Sequence, residues 1–249
     1  ERDLAERPND PMTLRQEQFF DSCWADVLYD GEMYAVPGDT DNRAMYYNLD
    51  LLEKHAHELI AIGCVDPNDP TKVGPPRTWE QLRGSAEILT EYDEDGRLRR
   101  VGMIPNFGNS WFYLFSWLNG GKFLSDDGRT CTMTSPENVE ALVFVTSLYD
   151  LMGGAEVVNA YQSALLGGDL DPFLSGKIAM RIDGDGFLNV IANQKRDLRF
   201  GVTLPPAPEG KKRLGWGAGW SWVMPRGAKN PNEAWEFMKY LGSRRAYEV

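Results

Sequence analysis

The chain has 249 residues, of which 42% are hydrophobic, 12% aromatic and 25% charged, values that fit a folded globular protein and exclude a disordered one. The 37 acidic residues outnumber the 26 basic ones for a formal charge of −11, which repels phosphate backbones and argues against nucleic acid as a partner. No uninterrupted apolar run approaches the ~20 residues of a membrane helix, and the length admits either one large domain or two smaller ones.

In chain order, Tyr34–Val36 reads as a short strand. Thr78 followed by Trp79, with Gln81 three residues after the threonine, is a capping box that opens a helix. Trp79, Leu82, Ala86 and Leu89 then recur at helical spacing. Asp126, Asp127 and Gly128 between Phe123 and Met133 predict a hairpin turn. Ser135–Pro136 starts a second helix, with Val139, Leu142, Val143 and Thr146 on the face expected to be buried. Lys177–Asp183 alternates, placing Ile178, Met180 and Ile182 on one face of a strand. Phe200–Leu204 and Trp220–Met224 are further strands. Asn230–Pro231 opens a last helix, with Ala234, Phe237, Met238 and Leu241 as its buried stripe and Gly242 at its end. Strands alternating with helices predict an α/β protein with largely parallel sheets.

Several chemistries lack their residues. His55 and His57, two apart, face different ways on a helix and cannot form the paired histidines of a metalloprotease. They also leave a Ser or Cys nucleophile almost without a candidate base. The stretch SGKIA at 175–179 hints at a phosphate loop, but Asp171 and Ile178 stand where glycine and Ser/Thr are needed. Asp93, Asp95 and Gly96 suggest a calcium loop whose glycine comes too early. Cys23, Cys64 and Cys131 fit no metal spacing and leave one cysteine over in any disulfide scheme. No cofactor or metal is therefore expected.

What remains is a combination of rings, glycines and carboxylates. GWGAGWSW at 215–222 carries three of the eight tryptophans, and NFGNSWFYLFSW spans 106–117. A sugar presents apolar C–H faces and hydroxyl edges, so a site for it pairs flat rings with carboxylates, amides and arginine. Glycine beside a ring lets a ligand approach the backbone. The bland reading is that a tryptophan in a strand is core, and it is expected to hold for Trp24, Trp79, Trp222 and Trp235. Trp216 and Trp220, flanked by glycine, are expected at the surface. For the carboxylate pairs Asp39/Asp41 and Asp183/Asp185, solvated turns and a glycosidase pair are the two generic readings.

Five stretches occur in an order that resembles the extracellular solute-binding proteins feeding carbohydrate ABC transporters. They are GEMYAVPGDTDNRAMYYNLDLLEK at 31–54, PRTWEQLRGSAEIL at 76–89 and WLNGGKFLSDDGRTCTMTSPENVEALVFVTSLYD at 117–150. FLSGKIAMRIDGDGF at 173–187 and FGVTLPPAPEGKKRLGWGAGWSWVMPRGAKNPNEAWEFMKYL at 200–241 complete the set. The resemblance implies an α/β, two-lobed periplasmic binding protein-like fold of type II, incomplete here, because segments the family has before and after this stretch find no match. Residues 1–42 would be the remainder of the first lobe with a hinge crossing, 43–203 the second lobe and 204–249 the return to the first.

The resemblance also implies a non-enzymatic role: capture of a small-molecule carbohydrate by hinge closure, delivery to the membrane permease of an ABC importer, and a monomeric protein. The location would be periplasmic or extracellular, with membrane anchoring if it is a lipoprotein. Carried over by position, the ligand contacts are Asp39, Asp41, Arg43, Trp111, Asp183, Trp216, Gly217, Gly219 and Trp220. Two rivals stay open. The same scaffold could hold a polyamine, a glycerol phosphate or a peptide, or Asp183 with Asp39 or Asp41 could serve a glycoside hydrolase.

Overall fold

The computed structural model describes residues 9–10, 12–108, 111–165 and 170–248. The opening residues 1–8 and Pro11, and Asn109 and Ser110 of the NFGNSWFYLFSW stretch, lie outside the described residues. The chain divides into two compact units, residues 43–216 and a terminal unit formed by 1–42 with 217–249.

The 43–216 unit is built on a sheet with the strand order Phe200–Thr203, Asp41–Asn48, Ile178–Gly184, Leu98–Gly108, Glu91–Tyr92. Only Leu98–Gly108 and Ile178–Gly184 run parallel, and every other pairing in the sheet is antiparallel. The expected largely parallel sheet is thus corrected, for two local reasons. Glu91–Tyr92 and Leu98–Gly108 are joined by a short turn in which Asp93 accepts from the amides of Asp95 and Arg97, and a short connection can only return a strand antiparallel. Asp41–Asn48 enters the sheet at the end where Ile178–Gly184 leaves it, with Arg43 opposite Gly184 and Tyr47 opposite Met180.

Residues 178–182 are buried on both faces of their strand, not on the single face that alternation suggested. Helices cover both sides of the sheet, which is why the strand reads as almost continuously apolar. One side carries Met45, Met103, Met180 and Ile182 against Leu82, Ala86, Leu89, Phe115, Ala141 and Leu148. Other clusters gather Tyr46, Phe173 and Phe187, and Val101, Ile104 and Met152. Each fully buried side chain of this size contributes roughly 1.5–3 kcal/mol.

The predicted capping box is present. Thr78 Oγ1 accepts from the Gln81 amide at 3.2 Å and Gln81 Oε1 accepts from the Thr78 amide at 3.3 Å, opening the helix Trp79–Leu89. Its Trp79 ring is buried and stacks on Phe144 at 4.2 Å and 7°. The helix Pro136–Asp150 also starts where expected, but its buried face is Asn138, Ala141, Val145 and Leu148. Val139, Leu142 and Val143 lie at 49%, 49% and 61% exposure, so the expected buried stripe is the outward one. The helix is apolar on both sides, and spacing alone cannot choose between two apolar stripes. The turn at 126–128 is observed, with Leu124 bridged to Cys131 and Gly128 at φ 70°.

In the terminal unit, Leu28–Tyr29 and Glu32–Met33 form a hairpin. Its central Asp30 and Gly31 both have positive φ, 50° and 81°, the turn that matches the strand twist. Val36–Pro37 pairs with Ser221–Trp222, and Gly217–Ala218 pairs with Asp41 and Asn42. Both strands are shorter than the apolar runs suggested. The helix Pro231–Leu241 buries Met238 against Leu14 and Val36, whereas Phe237 is exposed. Trp222, expected in the core, is 45% exposed because its two-residue strand pairs only with Val36–Pro37. Trp24 and Trp235 are half-buried.

Candidate ligand-binding site

In the 43–216 unit, Ile178–Gly184, Leu98–Gly108 and Phe200–Thr203 all end at the sheet edge where Asp41–Asn48 begins. The carboxyl ends of strands in α/β sheets are where ligands are held, because side chains there project beyond the packed layers. Four of the predicted residues fall at this edge. Arg43 lies opposite Gly184 and Ala44 opposite Asp183. Trp111 sits between Leu98–Gly108 and the helix Phe112–Leu118, as that helix's N-terminal flanking residue. The Trp216 carbonyl accepts from the Arg43 amide at 2.8 Å.

The rings and charges at this edge form one connected group. The Arg43 guanidinium, 8% exposed, lies 4.5 Å from the Trp216 ring centroid. Trp216 meets Tyr113 edge-on at 5.2 Å, and Tyr113 meets Trp111 edge-on at 5.4 Å. Trp117 closes the group, 5.0 Å from Tyr113 and 6.1 Å from Trp216. A cation over an indole face and edge-to-face ring pairs are both attractive arrangements. Trp111 is the outermost of these rings, at 42% exposure.

Asp183 is held from its own strand. Its carboxylate accepts from the Gly184 amide at 2.8 Å and pairs with Arg181. Arg181 also donates to both oxygens of Asp171, at 2.9 and 2.8 Å, and lies 4.0 Å from the Phe187 ring. A buried arginine persists only with such partners, since an unpaired buried charge is costly. Gly108 lies against this group at φ 64°, where an added Cβ would stand 2.8 Å from the Ile182 carbonyl oxygen. Arg181, Asp171, Tyr113 and Trp117 were not among the residues expected from sequence. Arg181 could have been flagged as a charge inside an otherwise apolar strand.

The other predicted residues belong to the terminal unit. Asp39 Oδ1 accepts from the Trp220 amide at 2.6 Å, and the Gly38 and Asp39 amides donate to the Trp220 carbonyl at 2.8 and 3.3 Å. Asp41 is opposite Ala218, and Gly217 opposite Asn42. The glycines have a reason within the chain itself. A Cβ on Gly219 would sit 2.1 Å from the Asp39 carbonyl oxygen, and one on Gly217 would sit 3.1 Å from Asn42 Oδ1. Trp220, thrown outward by this turn, is 79% exposed.

Residues 3–248 match the family model of the bacterial extracellular solute-binding proteins. The chain belongs to that family. A binding protein of Brucella abortus (strain 2308) is 25% identical over 234 residues, 90% of this chain and 50% of its own length. A maltooligosaccharide ABC transporter solute-binding lipoprotein of Streptococcus pneumoniae (strain R6) is 23% identical over 230 residues, 88% of this chain and 47% of its own. The chain thus spans about half the length of the curated relatives it matches.

Among solved structures, CpMnBP1 with mannobiose bound is similar at a TM-score of 0.76 and 26% identity, over 96% of this chain and 56% of that one. An ABC transporter solute-binding protein of Thermotoga lettingae, bound with alpha-D-tagatose, is similar at a TM-score of 0.66 and 25% identity, over 93% and 55%. The fold is accordingly the α/β fold of the two-lobed periplasmic binding proteins. The pneumococcal relative and the Thermotoga neighbour both bear the name of ABC transporter solute-binding proteins.

Proposed function

We propose that this protein is the substrate-binding component of an ABC importer that captures a carbohydrate between two lobes and hands it to a membrane permease outside the cytoplasm. The observation that supports it most is the convergence of Arg43, Trp111, Asp183 and Trp216 at one sheet edge of the 43–216 unit. An exposed indole face offers a platform for the C–H face of a sugar ring, and a fixed carboxylate beside a guanidinium offers acceptors and donors for its hydroxyls. The mannobiose and tagatose carried by its structural neighbours are consistent with this chemistry. Asp39, Asp41, Gly217, Gly219 and Trp220 would supply the contacts from the terminal unit.

The glycosidase reading loses support from the same geometry. Asp183 shares a buried arginine with Asp171, and its two oxygens are engaged within the chain by Arg181 and by the Gly184 amide, which fixes the carboxylate in place. The test is a titration of intrinsic tryptophan fluorescence with mono- and oligosaccharides and with a polyamine. A saturable response to a sugar that is returned unchanged is expected, and Trp111→Ala should weaken it roughly tenfold or more while leaving the unfolding midpoint in place. A response confined to the polyamine, or hydrolysis of the sugar, overturns the proposal.

A further inference from the structure

The helix Pro136–Asp150 leaves one apolar stripe uncovered. Its inward residues Ala141, Val145 and Leu148 are buried, yet Val139, Leu142 and Val143 lie at 49%, 49% and 61% exposure on the opposite side. Hydroxyls on the same outer side are turned back into the helix. Thr146 Oγ1 donates to the carbonyls of Leu142 and Val143 at 3.0 and 2.9 Å, and Ser147 Oγ donates to that of Phe144 at 2.7 Å. Val139 and Val143 of this stripe line a groove of about 600 Å³ between this helix and Trp79–Leu89, together with the stacked Trp79–Phe144 pair, while Leu142 lies outside it.

The rim of that groove has a definite sign. Glu80 and Glu87 line it from one helix and Glu140 from the other, with Arg83 the one cation among its lining residues. All four side chains belong to exposed residues. A second copy of the chain would bring the same acidic rim against this one, and like charges meeting across an interface are disfavoured. An anionic membrane surface would be repelled for the same reason.

We infer that this groove is a docking surface for a partner protein's helix that carries an apolar stripe flanked by lysine or arginine. The apolar stripe would bury Val139 and Val143, and the flanking cations would meet Glu80, Glu87 and Glu140, in the helix-in-groove mode of recognition. The surface lies on the helical layer of the 43–216 unit and uses none of the residues assigned above to the ligand.

Fluorescence anisotropy of a labelled synthetic helix, leucine on one face and lysine on the other, tests this on the full chain. Saturable binding is expected, with a scrambled peptide of identical composition failing to bind. Val143→Glu, at a site already 61% exposed, should weaken it roughly tenfold while leaving the sugar titration unchanged. The double variant Glu80→Lys/Glu87→Lys should lose the lysine peptide and gain one in which glutamate replaces lysine. Equal binding of the scrambled peptide, an unaffected Val143→Glu variant, or failure of the charge swap overturns the proposal. Self-association abolished by Val143→Glu would overturn it in favour of a second copy.

Discussion

Arg181 and Trp111 show two different ways in which single residues serve one sheet edge. The Arg181 side chain is 7% exposed and binds two carboxylates, Asp171 and Asp183, so its loss would strand both. Arg181→Met should therefore lower the unfolding free energy by about 3 kcal/mol, the usual effect of breaking a buried pair, measured by chemical denaturation. Asp171→Asn should recover little, because Asp183 would still lack its cation. An unchanged midpoint for Arg181→Met would show that the network contributes nothing to stability. Trp111 carries the opposite expectation, since its ring is largely outside the core and its removal should be felt in ligand affinity. Trp216 stands between the two, packed against the core yet faced by Arg43, so stability and affinity should fall together when it is truncated.

At the level of elements, one acidic side chain ties a helix to the edge of the sheet. Glu91, in the edge strand, pairs with Lys54 at 2.9 Å and with Arg100 at 2.7 Å. The hydrogen bond from Lys54 is the largest influence on the Glu91 carboxyl, burial opposes it as the second, and the charge of Arg100 follows; together they hold it below its ordinary value of 4.5. A depressed carboxyl contributes stability that is fully present above its unfolded value and is lost as pH falls through the folded one. Glu91→Gln should thus be less stable than the native sequence at neutral pH. The difference should shrink as pH drops below 4.5, as thermal unfolding across that range would show. A difference that stays constant with pH would mean that packing, not charge, accounts for it.

At the scale of the whole molecule, the chain passes from the terminal unit to the 43–216 unit after Asn42 and back after Trp216. Two crossings of this kind are what the proposed hinge closure would bend, since a closing motion is absorbed by a few residues between rigid bodies. A sugar that saturates the fluorescence response is expected to reduce the radius of gyration measured by small-angle scattering. Binding without any change in the scattering profile would remove closure from the mechanism while leaving capture intact.

Local rules acted within a few residues, and these the sequence determined by itself: the capping box at Thr78 and Gln81, the proline starts at Pro136 and Pro231, and the turn at Gly128. Five short stretches in order were also enough to point to the family. Tertiary structure decided what depends on residues far apart in the chain. It chose which of two apolar stripes on Pro136–Asp150 faces inward, because only the neighbouring helices and sheet distinguish them. It turned the sheet mostly antiparallel, because Asp41–Asn48 enters from the edge its neighbours leave. It gave the glycines at 217 and 219 their reason, the close approach of the 39–42 backbone, and it coupled Arg181 to Asp171 across ten residues of sequence. Packing and charge pairing are decided by distance in space, which spacing along a chain does not record.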